Sequence, residues 1–304
     1  MSAEGPRWAL VNGVLLAAGE RHLSAFDRGF QLGDGVFETL RAAGGRVTEL
    51  GEHTARLRGS AAGLAIDLPA DVDALLAQGI HDVLAAEGLG GPDGDASVRI
   101  TVTRGVWMSR GLLPAPDEHL AATIVIQAWR VTAAPGTTPA HGISVVSSAV
   151  RRDPGNPLAT LKTTSRADYV YAKLEARRAG ADDALFFTVD GHLSEATSAN
   201  VFLVRTAADG VQELATPSLA CAILAGTTRS WLLRWAASVG LRPHEGELTR
   251  ADVAAAPEVF LTASVAGVVP VVRLDGRPVG DGQPGPWTLR ARADREAFIT
   301  GSAG

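Results

Sequence analysis

Between Val131 and Gly142 the chain carries Pro135, Gly136, Pro139 and Gly142 and shows no apolar periodicity. Proline fixes φ and removes a backbone donor, and glycine loosens the backbone, so neither a helix nor a strand runs comfortably through such a passage. It divides 304 residues into two parts, each long enough to bury a core of its own. The expected organisation is a first domain over 1–130, a linker over 131–142 and a second domain over 143–304.

The first part reads as α+β. An Asn12-Gly13 turn predicts a hairpin, Val36 to Ala42 predicts a strand ending at Gly44-Gly45, and Ser97 to Thr103 and Ala121 to Ala128 alternate as strands. Glu52 to Gly63 and Ala70 to Glu87 have helical apolar spacing. Gly105 to His119 is too irregular for a simple connector, and long loops of that kind often carry function. The second part opens with a strand from Ile143 to Val150. It continues through a helix from Ala167 to Ala179, a type I′ hairpin at Asp190-Gly191 flanked by Ala184 to Val189 and His192 to Val204, and a helix from Thr227 to Val239. Val259 to Val272 reads mostly as strand, and Trp287 to Phe298 as a closing helix.

A net charge of -5 without a basic stripe argues against nucleic acid as the main partner and points to a small molecule. The single Cys221 cannot form an internal disulfide, and the sequence shows neither a charged-then-apolar leader nor an apolar run of about 18 residues. A cytoplasmic protein without membrane association is expected.

Of the 28 basic residues apart from histidine, 26 are arginine, and only Lys162 and Lys173 are lysine. Arginine replaces lysine in most surface work, whereas an amine that forms a Schiff base has no guanidinium substitute. Lys173 lies among Glu175, Arg177 and Arg178 in the predicted helix and reads as part of a solvated face. Lys162 stands at a loop-to-helix boundary, between Asp153-Pro154-Gly155-Asn156-Pro157 and Thr163-Thr164-Ser165, where loops display functional side chains.

Other groups in the sequence complement such an amine. Glu195 follows the Asp190-Gly191 turn and offers a carboxylate. Gly226-Thr227-Thr228 opens a helix and offers backbone N–H groups and hydroxyls to an anion, and Thr262 and Ser264, ending an apolar strand, add hydroxyls that can join such a cradle. Arg56 offers a cation from the first domain. Together they match the needs of pyridoxal 5'-phosphate: an amine, an acid for the pyridine nitrogen and a phosphate cradle. Each has a plain alternative, since a glutamate near a hairpin is commonly solvated, a threonine at a helix start is an ordinary cap, and an arginine on a helix is commonly at the surface. Metal-ligand spacing of the histidines, a Gly-x-Ser-x-Gly elbow and a dinucleotide fingerprint are all missing, so no metal is expected.

Several segments in fixed order resemble the class IV, fold-type IV pyridoxal-phosphate enzymes. They are Phe26-Asp27-Arg28-Gly29 through Phe37-Glu38-Thr39, His53 to Leu57, Leu161-Lys162-Thr163-Thr164, Glu195 to Phe202, Leu224 to Arg229, Thr262 to Val271 and Gly280 to Thr288. That family includes D-amino acid transaminases, branched-chain aminotransferases, (R)-amine transaminases and 4-amino-4-deoxychorismate lyases. The resemblance implies a small α+β N-terminal domain and a larger pseudo-barrel α/β domain that binds the cofactor. It implies that Lys162 forms the internal aldimine, Glu195 partners the pyridine nitrogen, Leu224 packs on the ring, and Arg56, Thr227, Thr228 and Ser264 hold the phosphate. It further implies a homodimer with the active site between the domains and the Gly105 to Pro114 loop reaching across from the partner.

Within the family, Arg110 occupies roughly the place of a carboxylate-trapping arginine of D-amino acid transaminases. Phe37 and Leu112 depart from that pattern, where a tyrosine and a histidine are expected, and Thr39 breaks the branched-chain pattern. Trp107 and Met108 suggest an apolar substrate wall beside Phe37 and Arg110. The expectation is a transaminase moving an amino group between a D-amino acid or related (R)-amine and a 2-oxo acid. A 4-amino-4-deoxychorismate lyase, a branched-chain L-amino acid aminotransferase and a catalytically silent binding protein are the alternatives.

Overall fold

The computed structural model describes residues 5–132 and 141–301, so the expected linker lies outside the described residues apart from its ends. The chain divides into two compact units. One runs to Thr132 and also takes in Leu161–Arg166; the other comprises the rest.

The first unit is a six-stranded antiparallel sheet of β1 (Trp8–Val11), β2 (Val14–Ala17), β3 (Gly35–Ala43), β4 (Arg46–Val47), β5 (Asp95–Thr103) and β6 (Thr123–Arg130), in the order β2-β1-β6-β5-β3-β4. The Asn12-Gly13 hairpin forms as expected, with φ of 49° and 81° at its two turn residues. A short helix, α1 (Arg28–Leu32), precedes β3, and α2 (Leu50–Gly63) and α3 (Val72–Glu87) follow it. Leu57 and Ala61 of α2 and Leu76, Ile80 and Val83 of α3 bury their side chains in one cluster with Leu40, Val98, Ile100 and Ile126 of the sheet. Each fully buried aliphatic side chain contributes about 1.5–3 kcal/mol, which makes this sheet a firm platform for whatever β3 displays.

Leu161–Arg166, expected in the second half, packs with the first unit because its main chain pairs with β3. The amide of Phe37 donates to the Lys162 carbonyl at 3.0 Å, and the amide of Thr164 donates to the Gly35 carbonyl at 2.8 Å. β4 is only two residues long and covers the far end of β3, so the near end keeps backbone groups that this segment satisfies.

The second unit contains β7 (Ile143–Arg152), α4 (Ala167–Arg178), β8 (Asp183–Thr188), β9 (Leu193–Ala196), β10 (Asn200–Thr206), β11 (Gln212–Pro217), α5 (Thr227–Val239), β12 (Arg242–Gly246), α6 (Arg250–Ala255), β13 (Glu258–Ala263), β14 (Gly267–Leu274), β15 (Arg277–Pro278) and α7 (Pro286–Thr300). Its mixed sheet runs β12-β11-β10-β13-β14-β7-β8-β9, with β15 beside β14.

Two expected strands are each broken in two. His192 to Val204 is interrupted after Ala196, where the Ala196 amide turns back to the Ala199 carbonyl, and Val259 to Val272 is interrupted at Ser264. The hairpin at Asp190-Gly191 forms but not as type I′. Gly191 alone has positive φ, at 89°, and its amide donates to the Thr188 carbonyl, so a type I turn closes on a glycine bulge.

Candidate active site

In the first unit, β3 positions Lys162 by its backbone. Besides the pairing of its carbonyl with Phe37, its amide donates to the buried Ser60 Oγ at 3.1 Å, so both main-chain groups are held. Strand alternation then places neighbouring residues Phe37 and Glu38 on opposite faces of β3. The Phe37 ring gathers three cations: Arg99 Cζ at 4.0 Å, Lys162 Nζ at 4.7 Å and Arg166 Cζ at 5.8 Å from its centroid. Burial pushes the Arg99 guanidinium below its ordinary pKa, and the charge of Arg166 pushes it the same way. Arg99 donates to Thr101 Oγ1 at 3.2 Å and meets no carboxylate among the described residues.

On the other face of β3, Glu38 accepts from Arg56 Nε at 2.8 Å, from Arg56 NH2 at 2.7 Å and from His53 Nδ1 at 2.7 Å. His53, Arg56 and Ser60 lie on one stripe of α2, so a single helix face serves both the carboxylate and the Lys162 backbone. Burial alone raises the Glu38 pKa. The hydrogen bonds from Arg56 and His53, helped by the charges of Arg56 and Lys162, outweigh that and hold it at about 2, against 4.5 ordinarily.

In the second unit, Glu195 on β9 is buried at 5% exposure. Its Oε2 accepts from the Leu224 amide at 2.9 Å and its Oε1 from the Tyr169 hydroxyl at 3.2 Å, with Arg152 NH2 at 3.9 Å. Arg152 belongs to this group, its guanidinium 4.9 Å from the centre of the Tyr169 ring. Arg151 is exposed and Arg166 lies with Phe37.

The N-terminus of α5 lies close by in the same unit. Its N-cap, Gly226, offers no side chain, and a Cβ there would stand 2.0 Å from Asn200 Oδ1. Asn200 in turn donates to the Leu224 carbonyl at 2.9 Å, tying Leu224 at a second point. Thr227 Oγ1 and Ser264 Oγ approach to 3.3 Å, and the break between β13 and β14 is what frees Ser264 to do so. Thr262, two residues earlier on β13, has a buried hydroxyl with no hydrogen-bond partner among the described residues. The Thr228 hydroxyl is instead engaged by Arg295 NH2 at 3.2 Å, which leaves Thr228 its backbone amide for the helix terminus. A side-chain-free helix N-terminus, converging hydroxyls and an orphaned hydroxyl fit a phosphate, and a buried carboxylate with an adjoining phenol fits a protonated pyridine.

The loop after β5 is fixed at its base by Arg28, which is 1% exposed. Arg28 donates through Nε to Asp34 Oδ2 at 2.8 Å and through its terminal nitrogens to the carbonyls of Gly111 and Leu112, and it lies over the Trp107 ring at 5.1 Å. Trp107 is buried and donates to Glu118 Oε1 at 2.7 Å, so its ring is part of the loop's own packing. Met108 and Arg110 are exposed, and Arg110 makes no hydrogen bond or ion pair among the described residues.

The sequence reading did not single out Tyr169, Asn200, Arg99, Glu38 or Ser60. Tyr169 carried a usable signal, since the chain has only two tyrosines. The others gain meaning only through strand pairing.

The family model for amino-transferase class IV matches residues 35–274. The chain is 34% identical to a putative branched-chain-amino-acid aminotransferase of Methanocaldococcus jannaschii over 93% of both chains. It is 31% identical to a D-alanine aminotransferase of Bacillus licheniformis over 92% of both. The fold resembles the Escherichia coli branched-chain amino acid aminotransferase with a TM-score of 0.88 at 25% identity, covering 98% of this chain and 96% of that one. It also resembles a T.th. branched-chain amino acid aminotransferase solved with pyridoxamine 5'-phosphate, with a TM-score of 0.86 at 28% identity, covering 99% and 96%. The chain therefore belongs to the class IV aminotransferases, enzymes that work with pyridoxal 5'-phosphate.

Proposed function

We propose that this aminotransferase takes its amino group from a D-amino acid and passes it to a 2-oxo acid. The observation that carries an acid substrate is the cation cluster at Phe37: Arg99, half-buried and without a carboxylate of its own among the described residues, stands with Arg166 around the ring that Lys162 also touches. An unneutralised guanidinium such as that of Arg99 is costly in a poorly solvated place unless an anion joins it, and a carboxylate suits its fork geometry. Simple (R)-amines lack that group and are the weaker donors in this reading. The D-preference draws on Arg110, a second guanidinium without a protein partner among the described residues, and on the D-alanine aminotransferases among the relatives. The branched-chain L-amino acid reading is the second one, favoured by the relative at 34% identity.

When bound, pyridoxal phosphate supplies the electron sink that makes the substrate Cα–H acidic. In this reading the Lys162 amine would hold the cofactor, and its Nζ would carry the proton removed from Cα. Glu195 would hold the protonated pyridine nitrogen, and Leu224 would pack against the ring. Arg56, Thr227, Thr228 and Ser264 would hold the phosphate. Phe37 and Arg110 contact substrate, and Trp107 acts by shaping the loop that carries Arg110.

A second copy of the chain is part of the proposal. Phe26, Phe30, Leu32, Met108, Leu112 and Leu113 are each between 44% and 78% exposed on two segments tied together by the Trp107 amide on the Phe26 carbonyl at 3.1 Å. Such a concentration of large apolar side chains marks an association surface. The deciding experiment is a panel of D-alanine, L-leucine and (R)-phenylethylamine as donors, each with pyruvate and 2-oxoglutarate. D-alanine should be the best donor; L-leucine exceeding it moves the assignment to the branched-chain reading, and preference for the amine removes the carboxylate role of Arg99.

A further inference from the structure

Glu38 is 0% exposed, the most deeply buried ionisable side chain among the described residues. Burying a carboxylate is expensive, and an apolar residue at this position of β3 would pack against the same helix, which Leu57 and Ala61 already hold to the sheet. What the carboxylate does that an apolar side chain cannot is grip Arg56. Its two oxygens take Nε and NH2 of one guanidinium, which fixes both the plane and the position of that group, and His53 fixes the carboxylate in turn.

We propose that Glu38 is a positioning residue for the cofactor phosphate, acting through Arg56. Arginine is long and flexible, and a phosphate that had to order it would bind more weakly. The bidentate pair orders Arg56 before the phosphate arrives and balances its charge in a half-buried place while the phosphate is absent. This rests on the reading of Arg56 as a phosphate ligand.

The test measures dissociation constants of the cofactor-free protein for pyridoxal phosphate and for pyridoxal, which lacks the phosphate, in the wild type, Arg56→Ala, Glu38→Gln and the double variant. The ratio of the two constants isolates the phosphate contribution from any general loosening of the fold. Glu38→Gln should lower the preference for the phosphorylated form by about tenfold or more, the worth of one charge-assisted hydrogen bond, while leaving pyridoxal affinity nearly unchanged. The double variant should be no worse than Arg56→Ala. An unchanged ratio in Arg56→Ala overturns the phosphate reading and with it the inference. A lowered ratio in Arg56→Ala with an unchanged or raised ratio in Glu38→Gln overturns the inference alone. If Glu38→Gln does not fold, Glu38→Asp keeps the charge but shortens the reach; it should lower the ratio severalfold, and an unchanged ratio there overturns the inference equally.

Discussion

The Tyr169 hydroxyl donates to Glu195 at 3.2 Å, so a half-buried phenol on α4 and a buried carboxylate on β9 form one unit with the Leu224 amide on the second oxygen. A carboxylate with two donors and the Arg152 guanidinium beside it is stabilised as the anion, which is what a protonated pyridine requires. Tyr169→Phe removes one donor and should lower kcat about tenfold with a small effect on thermal stability. Glu195→Gln removes the charge and should lower kcat by about a hundredfold or more. Steady-state kinetics on the two variants, saturated with cofactor, check the order; equal losses would mean that Tyr169 does more than support Glu195.

Lys162 is held by backbone on both sides, so its side chain can be changed without disturbing the strand edge. Lys162→Ala should fold with an unchanged melting temperature, lose the visible absorption of the cofactor-loaded protein and lose transamination by at least about a thousandfold. Lys162→Arg should rescue nothing, because a guanidinium keeps the charge but lacks the nucleophilic amine. Retained turnover in either variant would remove the lysine from the chemistry.

Arg99 tests recognition of the acid group. Arg99→Ala should raise KM for amino acids and 2-oxo acids by about tenfold to a hundredfold, with a smaller change in kcat, and leave an amine donor little affected. Arg110→Ala should raise KM for the acids in the same way, as expected of a guanidinium that the exposed loop brings to the substrate. A loss equal for acids and amines in either variant would assign that arginine to structure.

The parts of the site that were legible from sequence are those carried by scarcity or by local motif. Lys162 stood out because lysine is nearly absent, and the Thr227 helix start and Glu195 lay in short recognisable segments. Tyr169 could have been found by the same scarcity argument. Glu38, Ser60 and Arg99 could not, because their roles arise where β3 meets α2, β5 and the 161–166 segment, residues far apart in the chain. Likewise the break at Ser264 follows an apolar run with no proline or glycine to announce it before Gly267, although that break is what lets Ser264 face Thr227. Local propensity identified most of the elements and left their interruptions to tertiary pairing.

The exposed apolar segments give a prediction on assembly. Leu112→Glu and Phe30→Glu place charges on a surface that the proposed second copy covers, and each should shift the sedimenting species toward monomer at micromolar concentration without unfolding the chain. A wild type that sediments as a monomer would refute the proposed association.

The Glu38 carboxylate also fixes how the fold responds to acid. Its folded pKa of about 2 lies below the ordinary 4.5, so the folded state binds the proton less readily than the unfolded chain. The stabilisation is therefore complete above pH 4.5 and is lost as the pH falls toward 2. The difference corresponds to about 3 kcal/mol. Asp34 adds to it with the same sign: burial raises its pKa, but hydrogen bonds from Arg104 and Arg28 outweigh that and leave it lowered. Urea unfolding followed between pH 6 and pH 3 should show a steep acid loss in the wild type and a shallower one in Glu38→Gln, which starts less stable. Parallel curves for the two proteins would show that Glu38 ionises in the folded state as it does in the unfolded chain.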